Sequence, residues 1–172
     1  MPAPSRGFPP IADAAARLLV LGSLPGQASL AAREYYAQPH NAFWRIMGAL
    51  FDAGPERPYE ERAARLLRNG IALWDVCRSA RRAGSLDASI ELASVVSNDF
   101  AGFLDLHPHL AAICCNGATA HRLYLRKVRP GLPPRQQSLP LHVLPSTSPA
   151  HAALRFEQKL DRWRLLQQLL AG

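Results

Sequence analysis

A chain of 172 residues, 48% hydrophobic and 19% charged, is sized for one compact domain around one core and has an ordinary globular composition. No apolar run approaches the roughly 18 residues that span a bilayer, and residues 1–10 lack the apolar stretch of a secretory leader, so neither membrane insertion nor export is expected. The net charge of +7 favours a polyanionic partner, because Lys and Arg neutralise phosphates and release counterions.

In chain order, 1–10 is Pro-rich and reads as a loose, flexible arm, with 11–172 as a single domain. Leu18-Leu19-Val20-Leu21-Gly22 is a short apolar run closed by Gly, the pattern of a buried strand. Ser23 to His40 is rich in small and turn residues and predicts a long loop, with a helical turn near Ala31 to Tyr36. From Asn41 the period becomes helical: Phe43, Trp44, Met47, Leu50 and Phe51 share a face until Gly54-Pro55 stops the run. A second helix covers Pro58 to Arg68, with Ala63, Leu66 and Leu67 inward and Asn69-Gly70 as its stop.

Ile71 to Cys77 predicts the second strand, and Arg78 to Leu92 is irregular and basic. Ser97 or Asn98 caps a helix running to Leu106. Leu110 to Cys115 is the third strand, followed by Asn116-Gly117 and a helix to about Val128. Pro130 to Pro140 is a proline-rich linker, Leu141 to Leu144 the fourth strand, and the last helix starts near Ser148 or Pro149. Strands alternating with helices predict an α/β fold: three αβα layers around a central, mainly parallel four-stranded sheet. Ligands of such sheets bind at the carboxyl ends of the strands, which points to the loops beginning at Gly22, Asp75, Asn116 and Pro145.

Cys77, Cys114 and Cys115 are too few for a four-cysteine iron–sulfur site and too oddly spaced for a disulfide framework, which fits a reducing, cytoplasmic setting. The six histidines lack compact ligand spacing apart from His107 and His109, so no metal is expected. Basic residues cluster at Arg78, Arg81 and Arg82 and again from Arg122 to Arg135; solvated surface and DNA contact are equally good readings of both clusters.

Three stretches carry possible chemistry. Gly22-Ser23-Leu24-Pro25-Gly26 follows the first strand and lets the backbone approach a ligand, although such turns are more often plain structure; it matches neither a Walker loop nor a dinucleotide fingerprint. Tyr35 to Trp44 sets aromatics beside the amides of Gln38 and Asn41, the residue types of a pocket for a planar heterocycle. The plain alternative there is a helix cap at Asn41 followed by core, and for Asn41 both roles are compatible. Leu144 to His151 offers three hydroxyls, Ser146, Thr147 and Ser148, that can grip phosphate; an ordinary Ser cap before Pro149 explains the same residues. Asp75, at a strand end, is placed to read a base edge, and Asn116-Gly117 is either part of the same rim or a turn.

Taken together these stretches resemble the uracil-DNA glycosylase superfamily. Gly22 to Gly26 is similar to its first motif, Tyr36 to Trp44 to the continuation of that motif in the mismatch-specific branch, and Leu144 to His151 to the second motif, whose loop enters DNA. Trp74-Asp75-Val76, Gly84-Ser85-Leu86-Asp87 with Ile90, and Cys115-Asn116-Gly117-Ala118 resemble the branch of hypoxanthine or deoxyinosine DNA glycosylases most. The resemblance implies a monofunctional enzyme, cofactor-free and monomeric, whose partner is DNA carrying deaminated bases. It implies Asn41 as the catalytic residue that orients water. Gly22, Ser23, Leu24, Pro25, Gly26, Tyr36, Asp75 and Asn116 form the base pocket, and Ser146, Thr147, Ser148, Pro149 and His151 the DNA-binding loop. Two departures matter. Leu24 stands where the mismatch-specific branch carries its water-positioning Asn, and Ser146 where the second motif has His or Asn; both weaken the expectation of strong uracil excision. A mismatch-specific uracil enzyme and a non-catalytic damage-binding relative are the competing readings.

Overall fold

The computed structural model describes residues 3–172. Its centre is a sheet of four parallel strands in the order β3-β2-β6-β7: β2 (Leu18–Gly22), β3 (Ile71–Asp75), β6 (Ala112–Asn116) and β7 (Leu141–Leu144). The register pairs Gly22 with Asp75 and Asn116 with Leu144, so the strands end level at one edge.

Three of these strands are buried along their whole length, which is why they read as continuous apolar runs rather than alternating ones. Their side chains divide between two cores. Leu19, Leu21, Trp74, Ile113 and Cys115 face one layer, built from α4 (Phe100–Leu106), α5 (Ala118–Leu123) and the π-helical turn Tyr124–Val128 that continues it. Leu18, Val20, Leu73 and Cys114 face the other, built from α2 (Phe43–Phe51), α3 (Tyr59–Arg68), α7 (Phe156–Trp163) and α8 (Leu165–Ala171). These are the three layers the alternation predicts.

The structure departs from the sequence reading in several places. The strand expected to reach Cys77 breaks at Val76, whose N–H turns to Gly22 O at 2.9 Å. The chain then enters a small antiparallel sheet in which β4 (Cys77–Ala80) lies between β1 (Ser5–Arg6) and β5 (Val96–Ser97). Part of the expected loose arm is therefore paired: β1 lies on β4, Gly7 N–H donates to Arg78 O at 2.9 Å, and Pro9 O accepts the Tyr35 hydroxyl at 2.8 Å; Met1 and Pro2 lie outside the described residues. The helical turn of the first long loop is α1 (Gln27–Ala32), earlier than predicted and ended by Arg33 in the left-handed region. The expected proline-rich linker contains a short helix, α6 (Pro134–Gln137), entered through its own Pro.

The largest departure concerns the last helix. It starts at Phe156, not at Ser148 or Pro149, so the hydroxyls of the second motif do not crown a helix. Ser146 Oγ accepts from Ser148 N–H at 3.1 Å and Ser148 Oγ from Ala150 N–H at 3.2 Å, local turns that satisfy the backbone without helix. The helix that follows is closed instead by Gln158 Oε1, which accepts from Arg155 N–H at 2.8 Å.

Candidate active site

A cleft of about 650 Å³ opens at the carboxyl edge of the parallel sheet, within the size range of pockets for small planar ligands. Every residue named from the sequence lines it: Asn41, Gly22 to Gly26, Tyr36, Asp75 and Asn116, together with Ser146, Thr147, Ser148, Pro149 and His151. The four strand ends bring together segments more than a hundred residues apart.

Gly22 is required by crowding. A Cβ there would overlap Asp75 Oδ1 and stand 3.0 Å from the Tyr36 hydroxyl, so only hydrogen leaves the floor open. Gly117 meets both demands at once, with φ +95° and a Cβ that would sit 3.0 Å from Ser146 Cβ.

Tyr36 also has positive φ, at +56°, a conformation that costs a non-glycine residue of order 1–3 kcal/mol and often marks a functional position. Its ring stacks on Phe43 with centroids 4.0 Å apart. The hydroxyl is buried and has no hydrogen-bond partner. Burial first, and then the Asp75 charge, push its pKa well above the ordinary tyrosine value, so it stays a neutral donor.

Asn41 is half-buried and both predicted roles fit it geometrically: Oδ1 accepts from Phe43 N–H at 2.9 Å at the mouth of α2, and the residue lines the cleft. Asn116 is more engaged than a base-reading amide would be. Its Nδ2 donates to Thr147 Oγ1 and its Oδ1 accepts from Thr147 N–H, both at 2.9 Å and buried. Asn116 thus ties the second-motif loop to the end of β6. The same loop is held by Trp163 Nε1 on Pro145 O at 2.9 Å, by Lys159 Nζ on Ser148 O at 3.2 Å, and by Ala42 N–H on Thr147 O at 2.9 Å. Thr147 is consequently a buried strut, while Pro149 is exposed at the rim.

Leu24 packs into the core beneath β2 rather than presenting a polar atom to the cleft. Asp75 is only 4% exposed, and burial, reinforced by the nearby Asp87 carboxylate and opposed by Arg82, raises its pKa to about 7.

Sequence reasoning missed Arg82 and Asp87. The arginine run was read as surface or DNA contact, yet Arg82 is 3% exposed; its guanidinium donates to the carbonyls of Leu24 at 3.3 Å and Gly84 at 3.2 Å, and also to that of Pro25. Asp87 accepts from Ser23 Oγ at 2.7 Å and lies 3.7 Å from Arg82. Together they clamp the first motif to the Gly84–Ala88 loop, which forms one wall of the cleft. The signal was present in Gly84-Ser85-Leu86-Asp87, but nothing local says that Asp87 meets Ser23. Replacing Arg82 with Met should lower stability by about 3 kcal/mol, because buried carbonyls and a carboxylate lose their partner; urea denaturation reads this, and a loss below about 1 kcal/mol would make the clamp a minor one.

Among the described residues no group of three or more His, Cys, Asp or Glu stands together as a metal site, and no helix is long and apolar enough to cross a membrane. The three cysteines are buried and unpaired.

Residues 9–169 match the sequence model of the Uracil DNA glycosylase superfamily. The chain is 40% identical over 116 residues to a protein of Methanosarcina acetivorans named Hypoxanthine DNA glycosylase, a match spanning 67% of this chain and 72% of that one. A protein of the same name from Methanosarcina barkeri is 37% identical over 113 residues, covering 65% and 70%. The solution NMR structure of a Methanosarcina acetivorans protein, described as a candidate uracil DNA glycosylase, superposes with a TM-score of 0.78 at 33% identity over 97% of this chain and 99% of that one. A match of this length, on a fold whose strand ends gather both motifs into one cleft, decides the family: the chain belongs to the uracil DNA glycosylase superfamily.

Proposed function

We propose that this protein is a monofunctional DNA glycosylase that releases hypoxanthine from deoxyinosine in DNA by hydrolysing the N-glycosidic bond, with uracil a lesser substrate. The observation that carries the reading is Asn41 beside Tyr36 in a cleft floored by Gly22 and Asp75, with the apolar Leu24, which can orient no water, packed into the core at the first-motif position. Both curated relatives named above are Hypoxanthine DNA glycosylases.

A deaminated base is flipped out of the duplex at a cost of a few kcal/mol, least for a mispaired base. The rim from Ser146 to Leu154, anchored through Thr147, Ser148 and Pro145, wedges into the duplex and compresses the phosphates. The base slides against Tyr36, whose other face rests on Phe43. Asn41 holds a water against the sugar carbon as the bond loosens toward an oxocarbenium-like sugar. An amide is a poor base, so the gain comes from positioning and from hydrogen bonds that stabilise the leaving group. Water and side chains suffice for this chemistry, and neither of the two lysines, Lys127 and Lys159, lines the cleft. The protein works as a monomer on this reading.

The test uses end-labelled duplexes carrying deoxyinosine, deoxyuridine or thymine opposite guanine, treated with enzyme and then hot alkali. Breaks at deoxyinosine, slower ones at deoxyuridine and none at thymine are expected. Breaks at deoxyuridine alone would make the protein a mismatch-type uracil enzyme. Binding without breaks on any lesion would make it a damage-binding relative.

A further inference from the structure

Asp75 has the surroundings of a working group and no structural task for its carboxyl. It ends β3 beside Gly22, is almost wholly buried, and its Oδ2 meets no hydrogen-bond partner. Buried carboxyl oxygens are ordinarily paired, so an orphan is a cost unless a ligand meets it. Only the backbone of Asp75 is engaged, by Asn98 Nδ2 on its carbonyl at 2.7 Å. The second buried orphan of the cleft, the Tyr36 hydroxyl, stands across Gly22 from it. The Asp75 carboxyl and the Tyr36 hydroxyl therefore both border Gly22 at the floor where a base would rest.

The neighbourhood favours the protonated form. Burial comes first, Asp87 adds like charge from the facing loop, and Arg82 opposes; the pKa stands at about 7. Arg82 is the cation that opposes this, and its donors are largely spent on the Leu24, Pro25 and Gly84 carbonyls. Tyr35, Tyr36 and Cys77, the other titratable groups around it, are all raised by burial and by Asp75 itself, and stay neutral at pH 7.

We propose that Asp75 is a catalytic acid specific to purine release, handing its carboxyl proton to a ring nitrogen of the flipped base as the bond from that base to C1′ breaks. The electron pair of that bond goes to the base, which takes the proton from Asp75 and leaves neutral. The water held by Asn41 adds its oxygen to C1′ and gives up a proton, and solvent returns a proton to the Asp75 carboxylate. One water is consumed, and a free base and an abasic deoxyribose are formed. Hypoxanthine has unprotonated ring nitrogens to receive the proton. Uracil has none, its one free ring nitrogen carrying hydrogen, so it must leave as an anion and gains little from the acid. The inference rests on the deoxyinosine reading of the cleft and adds to it a reason for preferring a purine.

The experiment measures single-turnover release of hypoxanthine and of uracil from duplex DNA between mildly acidic and mildly alkaline pH. Wild type, Asp75→Asn and Asp87→Asn are compared. Asp75→Asn keeps the shape and a hydrogen-bond donor but has no proton to transfer. It should slow hypoxanthine release about a hundredfold below neutral pH, slow uracil release far less, and melt no lower than wild type. Wild-type hypoxanthine release should be full below pH about 7 and fall as pH rises through it, because the acid must be protonated; the fall should vanish in Asp75→Asn. Asp87→Asn removes a like charge and should move the fall to lower pH. Asp75→Asn with wild-type rates, or a wild-type pH fall that Asp75→Asn retains, would overturn the proposal. Wild type that releases uracil but no hypoxanthine at any pH would instead overturn the substrate reading beneath it.

Discussion

Asn41→Ala should slow single-turnover base release about a thousandfold, the scale of losing a group positioned at the reacting centre, equivalent to about 4 kcal/mol in the barrier. The variant should still be folded. Asn41 Oδ1 accepts from Phe43 N–H at 2.9 Å, and losing such a cap costs about 1 kcal/mol, small against a stability of about 5–15 kcal/mol. Asn41→Asp keeps the acceptor at the mouth of α2 and should recover that 1 kcal/mol or so, which separates the cap from the chemistry. Stopped-time assays with enzyme in excess of DNA measure the rate, and thermal melts measure the fold. A rate within tenfold of wild type for a folded Asn41→Ala would remove Asn41 from the mechanism.

Asn116→Ala should lower stability by about 3 kcal/mol, because it orphans two buried groups of Thr147 at about 1–3 kcal/mol each with some relaxation. Both of those groups, the N–H and the hydroxyl, meet the amide at 2.9 Å, and Thr147 is only 1% exposed. The damage should spread to binding. Thr147 O holds Ala42 N–H, next to Asn41, so releasing the loop also releases the residue we propose to position water. DNA affinity and excision should therefore fall together, read by fluorescence anisotropy on lesion duplexes and by urea midpoints. A stable Asn116→Ala that binds DNA normally and fails only in excision would instead make Asn116 a direct base reader, as its place in the sequence pattern implies.

The parts of this molecule legible in its sequence are those where local chemistry and tertiary position agree. Leu18 to Gly22 and Ile71 to Asp75 are apolar runs ended by residues that suit a strand's exit, and the sheet buries both from end to end. Because ligands gather at the carboxyl ends of such strands, the candidate site was legible as four loops before any coordinates, and all four border one cleft. What escaped depends on contacts far along the chain. The strands β1 and β5 have two residues each and no periodicity, and they exist only because β4 pairs with both. Ser148-Pro149 has the chemistry of a helix start, but Thr147 is pinned by Asn116 and the chain runs on as a rim until Phe156. A run of arginines does not reveal that Arg82 turns inward while Arg78 stays exposed. For the same reason Asp87, whose partner Ser23 is 64 residues away, carries no local mark.

The most direct test of the account is to treat a deoxyinosine duplex with wild-type protein and identify the products by mass spectrometry. Free hypoxanthine together with an unbroken strand carrying an abasic sugar is the result expected of a monofunctional glycosylase. Release of no base, or a strand broken without alkali, would contradict it.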